Sequence, residues 1–209
     1  MDNKVELLGH YGGDLTHALS GWSSTERELT PDKRARIGSF LGTLARAGHH
    51  TPFEKSMLHF LVTCDTASHI HLIKHRIGVS INAESARYKE LKGDKWLVPE
   101  DWPEDIKEQF QSEMEERYKD YHLLLTRLGL SGLSRKRAKE SARFMLPYAN
   151  QTVMDVSFNF RSFMHFQGLR NKPDAQLEIQ EIAAEMLELV RGTGDFDLSL
   201  ESFGYGVTP

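Results

Sequence analysis

Between Lys74 and Tyr88 the chain reads Lys-His-Arg-Ile-Gly-Val-Ser-Ile-Asn-Ala-Glu-Ser-Ala-Arg-Tyr. Lys74, His75 and Arg76 stand together, Ser80 and Ser85 bring hydroxyls, Asn82 an amide, Glu84 a carboxylate and Arg87 a further guanidinium, while Gly78 lets backbone approach a ligand closely. Phosphate recognition wants this mixture, because guanidinium groups form paired charge-assisted hydrogen bonds to phosphate oxygens and hydroxyls supply the remaining donors. Any one of these arginines reads more simply as a solvated helix end with a surface ion pair; the cluster as a whole points to a bound anion. A second group, far along the chain, holds Arg143, Asn159, Arg161, His165 and Arg170. Arg161 and His165 are one helical turn apart and can enter the same pocket. Arginines near apolar segments need anionic partners, and internal carboxylates or a bound anion would serve equally. Six of the ten histidines lie between His49 and His75. His71 and His75 have the spacing to share a metal on a helix, but no His-Glu-x-x-His arrangement is present and no metal is expected.

These side chains need elements to position them. Thr30-Pro31 reads as a helix start, with Ile37, Phe40, Leu41 and Leu44 on one face until Gly48. Met57 to Cys64 alternates and predicts a strand, and Asp65 or Thr66 then caps a helix whose end delivers Lys74-His75-Arg76. Pro99 and Pro103 mark a surface connection into a long helix carrying Ile106, Phe110, Met114 and Tyr118 as a plain core stripe. Ser134 opens a helix from Arg135 to Leu146, closed by Pro147. Thr152 to Phe160 predicts a second strand with one polar face ending at Asn159. Arg161 to Leu169 and Asp174 to Val190 read as helices, and the tail from Gly192 as loosely held. Few strands and many helices in mixed order predict an α+β fold: a single domain over residues 1–209, with a small mixed or antiparallel sheet packed by helices.

Bulk properties set outer limits. With 39% hydrophobic and 27% charged residues the chain has material for a real core. It has no apolar run near the roughly 20 residues a membrane helix needs, and a start (Met1-Asp2-Asn3-Lys4) without signal-peptide layout, so a cytoplasmic protein without a membrane partner is expected. A net charge of −4 argues against a nucleic-acid coat. The lone cysteine, Cys64, lies in an apolar strand and reads as a small hydrophobe.

Four separated blocks carry a family resemblance: Gly48-His49-His50-Thr51-Pro52-Phe53-Glu54, His75 to Tyr88, Asn159-Phe160-Arg161-Ser162, and Leu169-Arg170 followed by Ala175-Gln176-Leu177-Glu178-Ile179. In order and spacing they resemble the flavin-dependent thymidylate synthases, whose signature is Arg-His-Arg, seven residues, then Ser. This chain departs in having Lys74 for the first arginine, eight residues between Arg76 and Ser85, and His71 where some members carry a glutamine for the pyrimidine. Ala83 stands where a glutamate commonly precedes the serine, with Glu84 one position later.

The resemblance implies an FAD enzyme that converts dUMP to dTMP with 5,10-methylenetetrahydrofolate and NADPH, acting as a homotetramer with sites built where subunits meet. It assigns Ser24, His49, Thr51, Glu54, Lys74, His75, Arg76, Asn82, Asn159, Arg161 and His165 to FAD. It assigns His71, Glu84, Ser85, Ala86, Arg87, Arg143 and Arg170 to the nucleotide, with Arg170 and Ser85 at the reacting centre and Ser85 as a binding group, not a nucleophile. The absence of a cysteine with a neighbouring base agrees with the flavin route over thiolate addition to the pyrimidine. Rival readings are a related C5-hydroxymethylase or dCMP-directed enzyme, and a nucleotide-binding protein without redox chemistry.

Overall fold

In the computed structural model, which describes residues 2–85, 87, 89–90 and 95–206, the chain opens with strand β1 (Lys4–Tyr11) and helix α1 (Asp14–Trp22). Neither was legible, since β1 interleaves Lys4, Glu6 and His10 with only one buried residue, Val5. Thr30 caps the next helix as expected, its hydroxyl accepting from the Lys33 N–H at 3.3 Å. The expected single helix is two: α2 (Pro31–Ala35) and α3 (Ile37–Arg46). Arg36 breaks it, with φ −106° and ψ 9°, because its N–H turns tightly to the Lys33 carbonyl. Gly48, at φ +76°, follows α3 in a backbone conformation that favours glycine.

A tight helical turn, Thr51–Glu54, leads into strand β2 (Met57–Asp65), whose Leu58, Phe60, Val62 and Cys64 are buried at every second position. Asp65 caps helix α4 (Thr66–Ile73) through the Ser68 N–H at 2.9 Å. Strand β3 (Val79–Ala83) then runs through the middle of the polar cluster, where no strand was expected: Val79, Ile81 and Ala83 are half-buried and alternate with exposed Ser80 and Asn82, a pattern too short to stand out among the polar residues around it. The long helix α5 (Glu104–Leu130) buries Met114 and Tyr118 as the stripe predicts, whereas Ile106 is exposed. Helix α6 (Arg135–Ala142) starts at the Ser134 cap and ends earlier than expected, tightening into the turn Arg143–Met145 before Pro147. Strand β4 is Gln151–Asn159, and Phe160 opens helix α7 (Phe160–Arg170) instead of closing the strand. Helices α8 (Leu177–Arg191) and α9 (Asp197–Ser202) complete the chain.

The strands form one antiparallel four-stranded sheet in the order β1-β2-β4-β3, and the fold is α+β with helices packed on a small sheet. Backbone contacts divide the chain into two compact units: Met1–Lys4, Val62–Lys74 and Asn82–Met154 in the first, Val5–Leu61, His75–Ile81 and Asp155–Pro209 in the second. The first is organised on α5, where Met114, Tyr118, Tyr121 and Ala142 are buried and the Tyr118 hydroxyl donates to the Lys95 carbonyl at 2.8 Å. The second has an aromatic core. Phe60 lies on Phe163 with ring centroids 5.8 Å apart, and Phe160 stacks on Phe196 at 5.4 Å. That pairing corrects the expectation of a loose tail, because Phe196, Ser199 and Leu200 are buried and α9 is fixed by contacts distant in sequence. No helix among the described residues is long and apolar enough to cross a membrane.

Candidate active site

The strand-to-helix junction at Asn159 organises the second unit's site. Asn159 is extended (φ −72°, ψ 158°), and its Oδ1 accepts from the Ser162 N–H at 2.8 Å, capping α7. Its own N–H donates to the Gly78 carbonyl at 2.9 Å. Gly78 has φ +65°, and a Cβ built there would fall 2.2 Å from Asn159 Nδ2 and 2.4 Å from Ser162 Oγ. Only glycine fits so close an approach. The signature segment and the start of α7 are thereby held together.

From this junction Arg161 and His165, both exposed, follow one turn apart on α7 and line one pocket, as their spacing predicts. Arg161 pairs with Glu54 at 2.5 Å, so two residues assigned to the flavin by resemblance meet directly. Arg161 and His165 line a cavity of about 480 Å³ with His50, Ile77, Ser162, Met164, Gly168, Phe203 and Tyr205. Most of its lining was missed in the sequence. His50 lines it while the assigned neighbour His49 is exposed outside it; Thr51 and Ser24 are exposed, and Ser24 is occupied by a hydrogen bond to the Gly21 carbonyl at 3.0 Å. The signal available in the sequence is Ile77, an isoleucine directly after Lys74-His75-Arg76, which the fold leaves 87% exposed. The set fits a cofactor that is both aromatic and anionic: apolar and aromatic walls for a ring, with a guanidinium and two imidazoles for phosphate.

His75 and Arg170 form a second grouping in the same unit. His75 is buried, packed edge-on against Phe166 at 5.1 Å, and its Nε2 accepts from Arg170 Nε at 3.2 Å. That bond makes Nδ1 the protonated nitrogen of a neutral ring. The terminal nitrogens of Arg170 have no partner among the described residues. Lys74 and Arg76, either side of His75, are exposed and likewise have no ion pair among them.

The first unit carries the other nucleotide-side assignments. Arg143 opens the turn after α6 as an exposed cation with no ion-pair partner among the described residues. Ser85 follows β3, its Oγ accepting from the Arg87 N–H at 3.3 Å. Arg87 Nε donates to Glu140 Oε1 at 2.8 Å, and Arg87, first among the causes, holds the Glu140 carboxyl below its ordinary pKa. Glu84 pairs with Lys89, and its N–H donates to the Val153 carbonyl at 2.8 Å. His71 is half-buried on α4, and Asn82 is exposed on β3. Ala86 lies outside the described residues. Cys64 is buried, and burial followed by the nearby Asp65 pushes its thiol well above the ordinary range, which disqualifies it as an attacking thiolate.

The sequence model of the family described as thymidylate synthase complementing protein matches residues 8–193. The flavin-dependent thymidylate synthase of Pseudothermotoga lettingae is 31% identical over 193 residues, covering 90% of this chain and 84% of the relative. That of Geobacter sulfurreducens is 34% identical over 204 residues, covering 90% and 82%. Among solved structures, the UMP/dUMP methylase PolB from Streptomyces cacaoi bound with 5-Br dUMP superposes with a TM-score of 0.81 at 27% identity, over 98% of this chain and 96% of that one. With a family match over residues 8–193 and relatives of this identity and coverage, the chain belongs to the thymidylate synthase complementing protein family, among the flavin-dependent thymidylate synthases.

Proposed function

We propose that this enzyme methylates C5 of dUMP to give dTMP, with FAD as cofactor, NADPH as reductant and 5,10-methylenetetrahydrofolate as carbon donor. The observation that carries the reading is the cavity on α7, which joins Arg161, His165 and His50 to apolar and aromatic walls in a chain of this family. Bound there, the reduced flavin supplies the hydride that completes the methyl group, so that the folate gives only its methylene and leaves as tetrahydrofolate. The protein's part is binding, orientation and electrostatics. Arg161 and His165 hold the cofactor's anionic portion, and Glu54 fixes the Arg161 guanidinium so that its remaining donors have one direction. Lys74 and Arg76 bring cationic groups beside His75 in the chain, and His49, Thr51 and Asn82 are further cofactor contacts by family position.

Uracil C5 is a poor nucleophile until a base carbonyl is polarised. Arg170 is suited to that, because neutral His75 pins its Nε and leaves two terminal nitrogens to donate to the pyrimidine. Arg143, Arg87 and the Ser85 hydroxyl then receive the 5′-phosphate, and His71 faces the base. Because Arg87 is held by Glu140, the phosphate competes with that carboxylate for it. The sites are assembled in a homotetramer, with arginines from more than one subunit on each nucleotide.

Visible absorption of the purified protein tests the reading. FAD should be retained or taken up, bleach with NADPH, and support formation of dTMP when dUMP and the folate are added. A protein that takes up no FAD, or that makes no C5-methylated product, would overturn it. A second substrate scope has one specific observation behind it, the likeness to a protein named as a UMP/dUMP methylase together with His71 in place of a glutamine. Offering dUMP, UMP and dCMP separately and identifying the product separates these scopes from one another and from hydroxymethylation.

A further inference from the structure

The family model ends at residue 193, yet one wall of the cavity comes from beyond it. Phe203 stands edge-on to Phe53 with centroids 4.9 Å apart and tilts against His50 at 5.2 Å. Tyr205 is set by its backbone: its N–H donates to the Leu200 carbonyl at 2.8 Å, and its own carbonyl accepts from Arg191 Nη2 at 2.9 Å. Its hydroxyl, by contrast, has no hydrogen-bond partner among the described residues. Burial raises the phenol's pKa, so it stays a neutral donor. Opposite it, Gly168 leaves the floor open, since a Cβ there would meet nothing but the Tyr205 hydroxyl, at 3.9 Å. The result is an aromatic slot with one free donor, in the cavity that Arg161 and His165 also line.

The slot depends on α9, a helix of six residues with no side-chain cap of its own. Asp14 caps it instead, accepting from the Leu198 N–H at 2.9 Å and the Ser199 N–H at 2.8 Å. From there a buried chain runs inward. Ser199 Oγ donates to Asp14 Oδ1 at 2.5 Å and accepts from His17 Nδ1 at 2.8 Å, while His17 Nε2 accepts from Ser56 Oγ at 2.7 Å. Every member's role follows from the first bond, because a serine that donates to the carboxylate must accept from the histidine, which leaves Nε2 as the acceptor. His17, Ser56 and Ser199 are almost wholly buried among Phe53, Phe160 and Phe196.

We propose that Phe203 and Tyr205 form the subsite for a planar ring of the flavin nucleotide, with the Tyr205 hydroxyl donating to it, and that the Asp14–Ser199–His17–Ser56 chain is the positioning device that holds this subsite. The proposal rests on the reading that the cofactor is FAD. A ring suits the slot better than a phosphate does, because Phe203 and Tyr205 share the cavity lining with the apolar Ile77 and Met164.

Equilibrium dialysis of FAD against the parent protein, Tyr205→Ala, Tyr205→Phe, Gly168→Met and Ser199→Ala, all checked for folding by circular dichroism, tests it. Loss of a stacking ring should raise the FAD Kd roughly 5- to 100-fold in Tyr205→Ala. Tyr205→Phe, which keeps the ring, should lose only a few-fold, and Gly168→Met should block the slot without altering the tail. FMN and ADP offered singly identify the ring: a loss confined to ADP assigns adenine, and one confined to FMN assigns the isoalloxazine. Ser199→Ala should weaken FAD binding and speed amide hydrogen exchange over residues 197–205 without ligand. An unchanged Kd in Tyr205→Ala and Gly168→Met overturns the subsite while leaving the flavin reading intact. Unchanged exchange in Ser199→Ala overturns the positioning role. A parent protein that binds no FAD overturns the flavin reading and the subsite with it.

Discussion

Arg170 is held at one corner only. With Nε committed to His75 and the terminal nitrogens unpartnered among the described residues, Arg170→Ala should cost substrate binding more than cofactor binding. Flavin content should stay near that of the parent while dUMP affinity falls by about 1.5–3 kcal/mol, the worth of charge-assisted hydrogen bonds. Calorimetry showing unchanged dUMP affinity would remove Arg170 from the nucleotide site. His17 makes a different prediction, on stability. Burial pushes its pKa down from 6.5 to about 4, so the unfolded chain binds a proton that the folded one refuses. Native stability therefore falls as pH drops below 6.5, and the loss levels off once pH passes the folded value. Asp14 works in the opposite direction, since burial first of all raises its pKa and the folded state takes up its proton more readily. A comparison with His17→Gln isolates the histidine: between pH 7 and pH 4 the parent should lose on the order of 3 kcal/mol more stability than the variant. Parallel urea-unfolding curves for the two proteins across that range would contradict this.

Among the elements, the β4–α7 junction concentrates the constraints, because one asparagine ends a strand, caps a helix and packs on a glycine. Asn159→Ala should cost about 1 kcal/mol through the lost cap alone. Gly78→Ala should cost more, since the left-handed backbone alone penalises an added Cβ by about 1–2 kcal/mol and the clash with Asn159 and Ser162 adds to it. The two should not be additive. In the Asn159→Ala background the nearest clashing atom is gone, so Gly78→Ala should be milder there, and a double-mutant cycle without coupling would show that the glycine answers to backbone conformation only. Caps of this kind were legible where the capping residue adjoins its helix, as Thr30, Asp65 and Ser134 do. Helix α9 was not, because its cap, Asp14, lies more than 180 residues earlier in the chain.

For the whole molecule, a site shared between subunits has a consequence that no single-chain site has. Arg87 and Arg170, if they reach one dUMP from different subunits, should each be indispensable, so Arg170→Ala and Arg87→Ala should be nearly inactive alone. Refolded together they should form mixed tetramers in which some sites hold both intact arginines, and activity should return. Hybrid tetramers confirmed by native mass spectrometry yet inactive would place both arginines on one chain, or one of them outside the site.

What the sequence determined by itself is local or periodic. The alternation of Leu58, Phe60 and Val62, the Asp65 cap, the one-turn spacing of Arg161 and His165, and four motif blocks in fixed order were enough for the α+β class and the family. The tertiary structure decided what depends on contacts between distant segments. Phe203 and Tyr205 sit in a glycine-punctuated tail with no periodicity, and they become a cavity wall because Phe196 stacks on Phe160 and Asp14 caps the helix before them. Likewise His75 is one of many polar residues in its segment until Phe166 and Arg170 bury it and set its tautomer. Burial and hydrogen-bond partners are properties of the packed chain: a residue's type shows what chemistry it can do, and its neighbours in space select which.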